Sequence, residues 1–185
     1  MLINGTLFNS EAWQGISKND EEQLEKVDEA LLRGLLKAHS KVPIEAFHLE
    51  TGTIPIRFIL KSRRLCYLHN ILRRDSEELV REIYDAQKDD PVEGDFCKLV
   101  QKDADDISLN LTEDQIMIMK EKEYKVKVKA KVRAASFKHL MELKTNHSKM
   151  DNINYSEFKL SNYMRSPLFD YKSTTTLFSL RTRTV

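Results

Sequence analysis

EYKVKVKAKV, residues 123–132, is the stretch on which the fold class turns. Lysine alternates with valine or alanine at period two, which is the pattern of a half-buried strand. No turn signal breaks the chain on either side of it, and Thr112 with Gln115 three residues on forms a capping-box pair that starts a helix upstream. The stretch is therefore read as the middle of one helix that begins near residue 112 and runs past residue 140. With that reading the chain becomes mostly α, because nothing else in it asks for a sheet. Five Gly and four Pro in 185 residues, beside abundant Leu, Lys, Glu and Ala, favour long helices over a turn-rich β architecture.

Working outward, the other helices announce themselves by period and punctuation. From Asp20 to about Ala38, Leu24, Val27, Leu31, Leu32, Leu35 and Leu36 recur at three- and four-residue steps, with Ser17 and Asp20 at the N-terminal cap. Pro43 opens a short helix PIEAFHLE and Gly52 stops it. Pro55 opens a longer one, IRFILKSRRLCYLHNILRR, with Ile56, Ile59, Leu60, Leu68, Ile71 and Leu72 facing inward. Asp75 or Ser76 caps SEELVREIYDAQ, the charged KDDPVEG after it is an exposed loop and a lobe boundary, and DFCKLVQKDADDI forms the next helix. Beyond the long helix, residues 146–154 are polar loop, after which Tyr155, Phe158, Leu160, Tyr163 and Met164 pack a short helix against the body. The tail from Ser173 ends on LFSLRTRTV without a stop signal, as though a further element followed. The expected architecture is an irregular multi-helix bundle of about six to eight helices, with room for two small lobes. Its expected segments are a helical lobe over 1–88, a linker and long basic helix over 89–150, and a C-terminal extension over 151–185.

Charge is unevenly spread along the chain. Residues 75–114 hold 4 Lys/Arg against 14 Asp/Glu, and residues 115–149 hold 10 against 3. Such blocks either form two opposite faces or pack on each other and cancel. Cys66 and Cys97 lie far apart without metal-ligand spacing, so free thiols in a reducing compartment are expected and a zinc site is not. No apolar run reaches the roughly 20 residues of a membrane span, and MLINGTLFNSEAW lacks the order of a signal peptide. The expected setting is intracellular, nucleus or cytoplasm, with no membrane partner.

Catalytic constellations are missing. Ala104, Asp105 and Asp106 spell the A-D-D of a polymerase metal hairpin, but that hairpin needs apolar strands and here VQKD precedes it on a helical pattern. Asp89 and Asp90 lie in a loop beside Pro91. His39, His48, His69, His139 and His147 are scattered, and His69 beside Tyr67 and Leu68 suits a packed core. There is no phosphate-cradling Gly loop and no nucleophile elbow. No enzyme activity, metal or cofactor is expected of the chain. The usable signal is basic. Lys61, Arg63, Arg64, Arg73 and Arg74 share one helix, and Lys125, Lys127, Lys129 and Lys131, with Lys120, Lys122 and Arg133, crowd another. Both could meet a phosphate backbone. Lysines at alternate residues of a helix spread over about half its circumference, so no narrow comb is expected.

Several phrases resemble the post-palm region of non-LTR retrotransposon reverse transcriptases, the part that leads from the polymerase thumb toward a zinc knuckle and a restriction-like endonuclease. They are the opening LINGTLFNSEAW through LHNIL, then VEGDFCKLVQKD, LNLTEDQIMIMK and the closing LFSLRTRTV, and IPIRFILKSRRLCYLHNIL is the most specific among them. The resemblance covers nearly the whole chain. It implies a non-catalytic grip on RNA, an RNA–DNA hybrid or a DNA duplex, with the rest of the polyprotein as partner. It also implies that the palm aspartates would precede Met1 and the knuckle cysteines would follow Val185. The helix bearing Leu24 to Leu36 would be a thumb helix, and Arg57, Lys61, Arg63 and Arg64 would make backbone contacts, which position nucleic acid without reading its sequence. Trp13 and Tyr67 would either stack on bases or pack in the core. The competing expectations are a helical protein-interaction or scaffold domain, which would bury much of the basic surface, and a degenerate transposon-derived fragment with no present activity.

Overall fold

Residues 123–132 are helical throughout, and the burial pattern explains why. A strand would turn Tyr124, Val126, Val128, Ala130 and Val132 to one face. Instead Tyr124, Val128 and Val132, four residues apart, are 0 %, 0 % and 1 % exposed, whereas Val126 is 62 % exposed. The period that decides burial is therefore that of the helix, and the alternating lysines fall on its solvent side. In this computed structural model, residues 7–13, 16–146, 150, 155–167 and 170–182 are described.

Among the described residues there are nine α-helices and no strand. They are α1 Lys18–Leu36, α2 Ile44–Thr51, α3 Ile56–Leu72, α4 Leu79–Asp89, α5 Phe96–Asp106, α6 Glu113–Ile118, α7 Glu121–Lys144, α8 Asn162–Arg165 and α9 Tyr171–Arg181, with a short 3-10 turn at Ser10–Ala12. No helix is long and apolar enough to cross a membrane among these residues. The expected caps are present. The Ser17 hydroxyl accepts from the Asp20 amide at 3.2 Å while Asp20 accepts from the Ser17 amide at 3.0 Å. Thr112 and Gln115 close the reciprocal capping box. Helix α4 starts at Leu79, three residues later than Ser76, because residues 76–78 close a turn in which the Glu78 amide donates to the Asp75 carbonyl at 3.0 Å.

One expected helix is two. The segment that the sequence presents as continuous from Thr112 past residue 140 breaks at Met119, whose backbone is extended at φ −70, ψ 137. His69 accounts for the break, since its Nε2 meets the Met119 carbonyl at 3.0 Å, a bond that a helical Met119 would direct to its own chain instead. Neither Gly nor Pro marks the position, so the interruption is tertiary in origin.

The chain forms two compact units, each assembled from separate stretches. The first comprises residues 1–21 and 56–135, and the second 22–55 and 136–185. The loop at 88–94, read from sequence as a lobe boundary, lies inside the first unit. In the first unit α3 is central, packing against the 3-10 turn, α4, α5 and α6. Leu60, Leu65, Leu68, Ile71 and Leu72 are buried along it, and Phe96, Val100 and Ile116 are buried on the helices around it. Tyr124 of α7 donates to the Leu65 carbonyl at 3.2 Å and its ring stacks on His69 at 5.1 Å, so the histidine is part of the core, as its apolar surroundings suggested.

In the second unit, Leu32, Leu36, Val42, Ala46, Phe47, Leu49, Leu140, Met150, Tyr155, Phe158 and Phe178 form one core cluster, with Tyr163 and Met164 packed against it. Phe47 and Phe178 meet at 5.1 Å between ring centroids. Gly52 ends α2 at φ +67, and a Cβ there would lie 2.6 Å from the Lys159 carbonyl carbon. Glycine is required at this stop for its left-handed backbone and for the close approach of another chain segment.

Candidate nucleic-acid interface

The two basic patches have different fates. On α3, Arg64 is only 3 % exposed and its Nε and Nη2 donate to the two carboxylate oxygens of Asp103 at 2.7 and 3.1 Å. Lys61 pairs with Asp106 and lies over the Phe58 ring at 5.6 Å. Arg63 donates to the Leu7 carbonyl and to Ser10 Oγ, and Glu11 stands 3.9 Å away. Arg74, at the end of the helix, pairs with Glu78. Arg57 is half-buried and engaged, and Arg73 is exposed. The α3 cations thus meet the acidic block within the first unit, with Asp103 and Asp106 as receivers. This charge-matching holds α5 and the N-terminal turn to α3, and it leaves Arg64 without a surface to offer a phosphate.

On α7 the arrangement is the reverse. Tyr124, Val128 and Val132 turn one face inward, and Lys127, Lys129 and Lys131 are exposed. Lys122, Lys127, Lys129 and Lys131 take no ion-pair partner among the described residues, while Lys125 pairs with Glu121 one turn back. That surface pair costs the lysine little of its availability, since exposed pairs of this kind are weak. The neighbouring Glu121 carboxylate, held by Lys125, sits below the usual range. Among the described residues, Glu78, Asp85, Asp103, Asp106 and Glu113 of the acidic block pair with cations of the first unit outside α7, and the α7 lysines keep their charge toward solvent.

Of the acidic candidates, Asp89 and Asp90 are exposed, and Asp105 and Asp106 make contacts within the first unit. Asp105 accepts from Gln101 at 3.3 Å and Asp106 takes Lys61, at the end of α5. No group of three or more His, Cys, Asp or Glu side chains is placed to hold a metal ion among the described residues. Tyr67 packs edge-on against Phe96 at 5.8 Å, and Trp13 is half-buried beside the 3-10 turn. Burial raises the Cys66 thiol, which makes it a weaker nucleophile.

Two polar networks in the second unit went unnoticed in the sequence. Glu50 is fully buried and accepts from the Tyr155 hydroxyl at 2.8 Å, from the Ser161 hydroxyl at 2.5 Å and from Arg181 Nε at 2.8 Å. It ties α2 to the segment before α8 and to α9 across more than a hundred residues. The second network is Asp28 on α1, 4 % exposed, with the His48 Nε2 3.8 Å from its carboxylate and the other ring nitrogen 3.0 Å from the Thr53 hydroxyl. Burial, helped by the charge of Glu25, pushes the Asp28 carboxyl up to about 6. The only available signal was the presence of acidic residues on stripes otherwise apolar, in PIEAFHLE and on α1, and a single carboxylate on such a stripe does not name its partner.

Comparison with family models, with curated proteins and with solved structures yields no match.

Proposed function

We infer that this chain is a non-catalytic nucleic-acid-binding segment, which holds RNA, an RNA–DNA hybrid or a DNA duplex by its phosphates, in the manner expected of the post-palm region of a non-LTR retrotransposon reverse transcriptase. The exposed lysine face of α7 is the observation that carries this reading. Several cations on one rigid helix, unpaired or, for Lys125, held only in a weak surface pair, lose little conformational freedom as a group when a polyanion approaches, and binding releases the counterions condensed on it. The contacts are assigned to Lys125, Lys127, Lys129 and Lys131, with Arg73 at the end of α3 as a second point. Arg57, Lys61, Arg63 and Arg64 act instead through the fold, while Arg74, whose surface pair with Glu78 is as exposed as that of Lys125, stands beside Arg73. The scaffold alternative requires the basic surface to be covered, and this is the case for much of α3 but not for α7. The rest of a reverse transcriptase polyprotein is the proposed protein partner, with the reaction chemistry residing there and the expected setting in nucleus or cytoplasm.

The test is a titration of purified protein into a labelled RNA–DNA hybrid at 50 and 200 mM salt, with the Lys127→Gln, Lys129→Gln, Lys131→Gln triple variant alongside. Binding should weaken steeply with salt, and the variant should lose about 0.7 to 0.9 in log–log salt slope per lysine removed. Absence of binding at 50 mM, or unchanged affinity in a variant of unchanged helicity, sinks the assignment.

A further inference from the structure

The alternation of lysine and small apolar residues, once wound into a helix, produces a shape that neither a lysine count nor a strand pattern conveys. Taking the buried Val128 as the inward direction, successive residues step about 100° around the axis. Lys129 then lies about 100° to one side and Lys127 about 100° to the other, with Val126 and Ala130 near the outward apex. Residues four apart drift by about 40°, so each flank is a slanted row: Lys125, Lys129 and Arg133 at about 60°, 100° and 140° on one side, Lys131 and Lys127 at about 60° and 100° on the other. Between them Val126 and Ala130 form a short apex about 20° either side of the outward direction, bordered by Arg133 and Glu123 at about 40° from it. Val126 at that apex is 62 % exposed and Ala130 is exposed, so nothing in the first unit covers it.

We propose that α7 enters the major groove of a B-form DNA duplex, with the Val126–Ala130 apex facing the groove floor and the two basic flanks reaching the phosphates of opposite strands. This rests on the nucleic-acid reading above and narrows it to one duplex form. A helix with its side chains is about 10–12 Å across, which matches the roughly 12 Å major groove of B-DNA. Cations on both flanks and small residues at the apex are what a groove with charged walls and a close floor demands. A helix lying along a single strand would need its charges on one side only. An A-form RNA duplex has a major groove too narrow and deep to admit this helix, so it can engage one row at a time. The small apex makes little hydrogen-bonded base readout, so the contact is largely independent of sequence. Glu123, exposed near the start of the same face, and Glu121, which holds Lys125, oppose it.

The experiment compares a labelled 16-base-pair DNA duplex, the RNA duplex of the same sequence and one DNA strand, by fluorescence anisotropy on the full chain at 50 and 200 mM salt. Two double variants each remove the lysines of one flank, Lys125→Gln with Lys129→Gln, and Lys127→Gln with Lys131→Gln. Each should lower the DNA salt slope by about 1.8, and equally. Ala130→Glu, which preserves helix propensity at an exposed position, should weaken DNA binding about tenfold or more, and Glu123→Lys should strengthen it. Circular dichroism should be unchanged in all of them. RNA duplex bound as tightly as DNA duplex, or a slope that responds to only one row, overturns groove entry while leaving phosphate binding intact. Failure of every nucleic acid to bind at 50 mM overturns the underlying reading with it.

Discussion

Arg64 is the residue for which sequence and structure assign the most different roles, and its replacement by Met separates them. Its guanidinium and the Asp103 carboxylate are each only 4 % exposed and joined by two hydrogen bonds at 2.7 and 3.1 Å. At that depth solvent screening does not discount the pair. Removing one partner leaves the other charge buried without compensation, which costs about 3–5 kcal/mol. For a chain of this size each kcal/mol moves the melting temperature by about 2–4 °C, so Arg64→Met should lower it by roughly 6–20 °C. Asp103→Leu should do the same. The double variant, with both charges replaced by apolar side chains of similar bulk, should recover most of the loss, because the desolvation of two ions disappears together with their attraction. Urea unfolding followed by circular dichroism measures all four corners of the cycle. Single variants that lose under about 1 kcal/mol, or additive losses in the double, would refute a buried structural pair. A lowered nucleic-acid salt slope in Arg64→Met at unchanged stability would return the residue to the phosphate interface.

Phe178→Ala should cost about 3–5 kcal/mol in chemical denaturation, since the ring is fully buried against Phe47 in the second unit's core; a loss below about 1 kcal/mol would detach α9 from that core. Gly52→Ala combines a left-handed backbone with a Cβ set 2.6 Å from the Lys159 carbonyl carbon, so a destabilisation of about 2 kcal/mol or more is expected by the same measurement. Asp28 supplies a pH signature. Its folded pKa of about 6 lies above the ordinary carboxyl value, so the folded state holds the proton more tightly, and the contribution of Asp28 is most favourable below about pH 4 and is lost as pH rises to about 6. Asp28→Asn should therefore gain on the natural chain across that window by up to ~3 kcal/mol, read from urea midpoints at pH 4.5, 5.5 and 7. If the variant is instead less stable at pH 7, Asp28 is ionised beside a protonated His48.

Much of the fold is legible in the sequence because its signals are local. Ser17 with Asp20, Thr112 with Gln115, and Pro43 with Gly52 mark helix ends through bonds and backbone angles that span only a few residues, and each stands where expected. The inward stripe of α3 is likewise local, since burial at three- and four-residue steps needs no knowledge of the partner. The all-α class followed once EYKVKVKAKV was read as helix, although the number of helices came out higher than expected.

Tertiary structure alone decided three things. It broke the long helix at Met119, because the bond that competes there comes from His69, fifty residues away. It divided the cations into those consumed and those free, because Arg64 and Lys127 are both basic residues on helices and differ only in whether a carboxylate from another segment reaches them. It also assembled two units from alternating stretches of chain, with Glu50 meeting Arg181 across the second. Helix propensity and capping are properties of neighbours along the chain, whereas pairing and burial are properties of neighbours in space. The stretch 123–132 shows both: its composition makes a lysine-rich helix, and only the burial of Tyr124, Val128 and Val132 determines which way the lysines point.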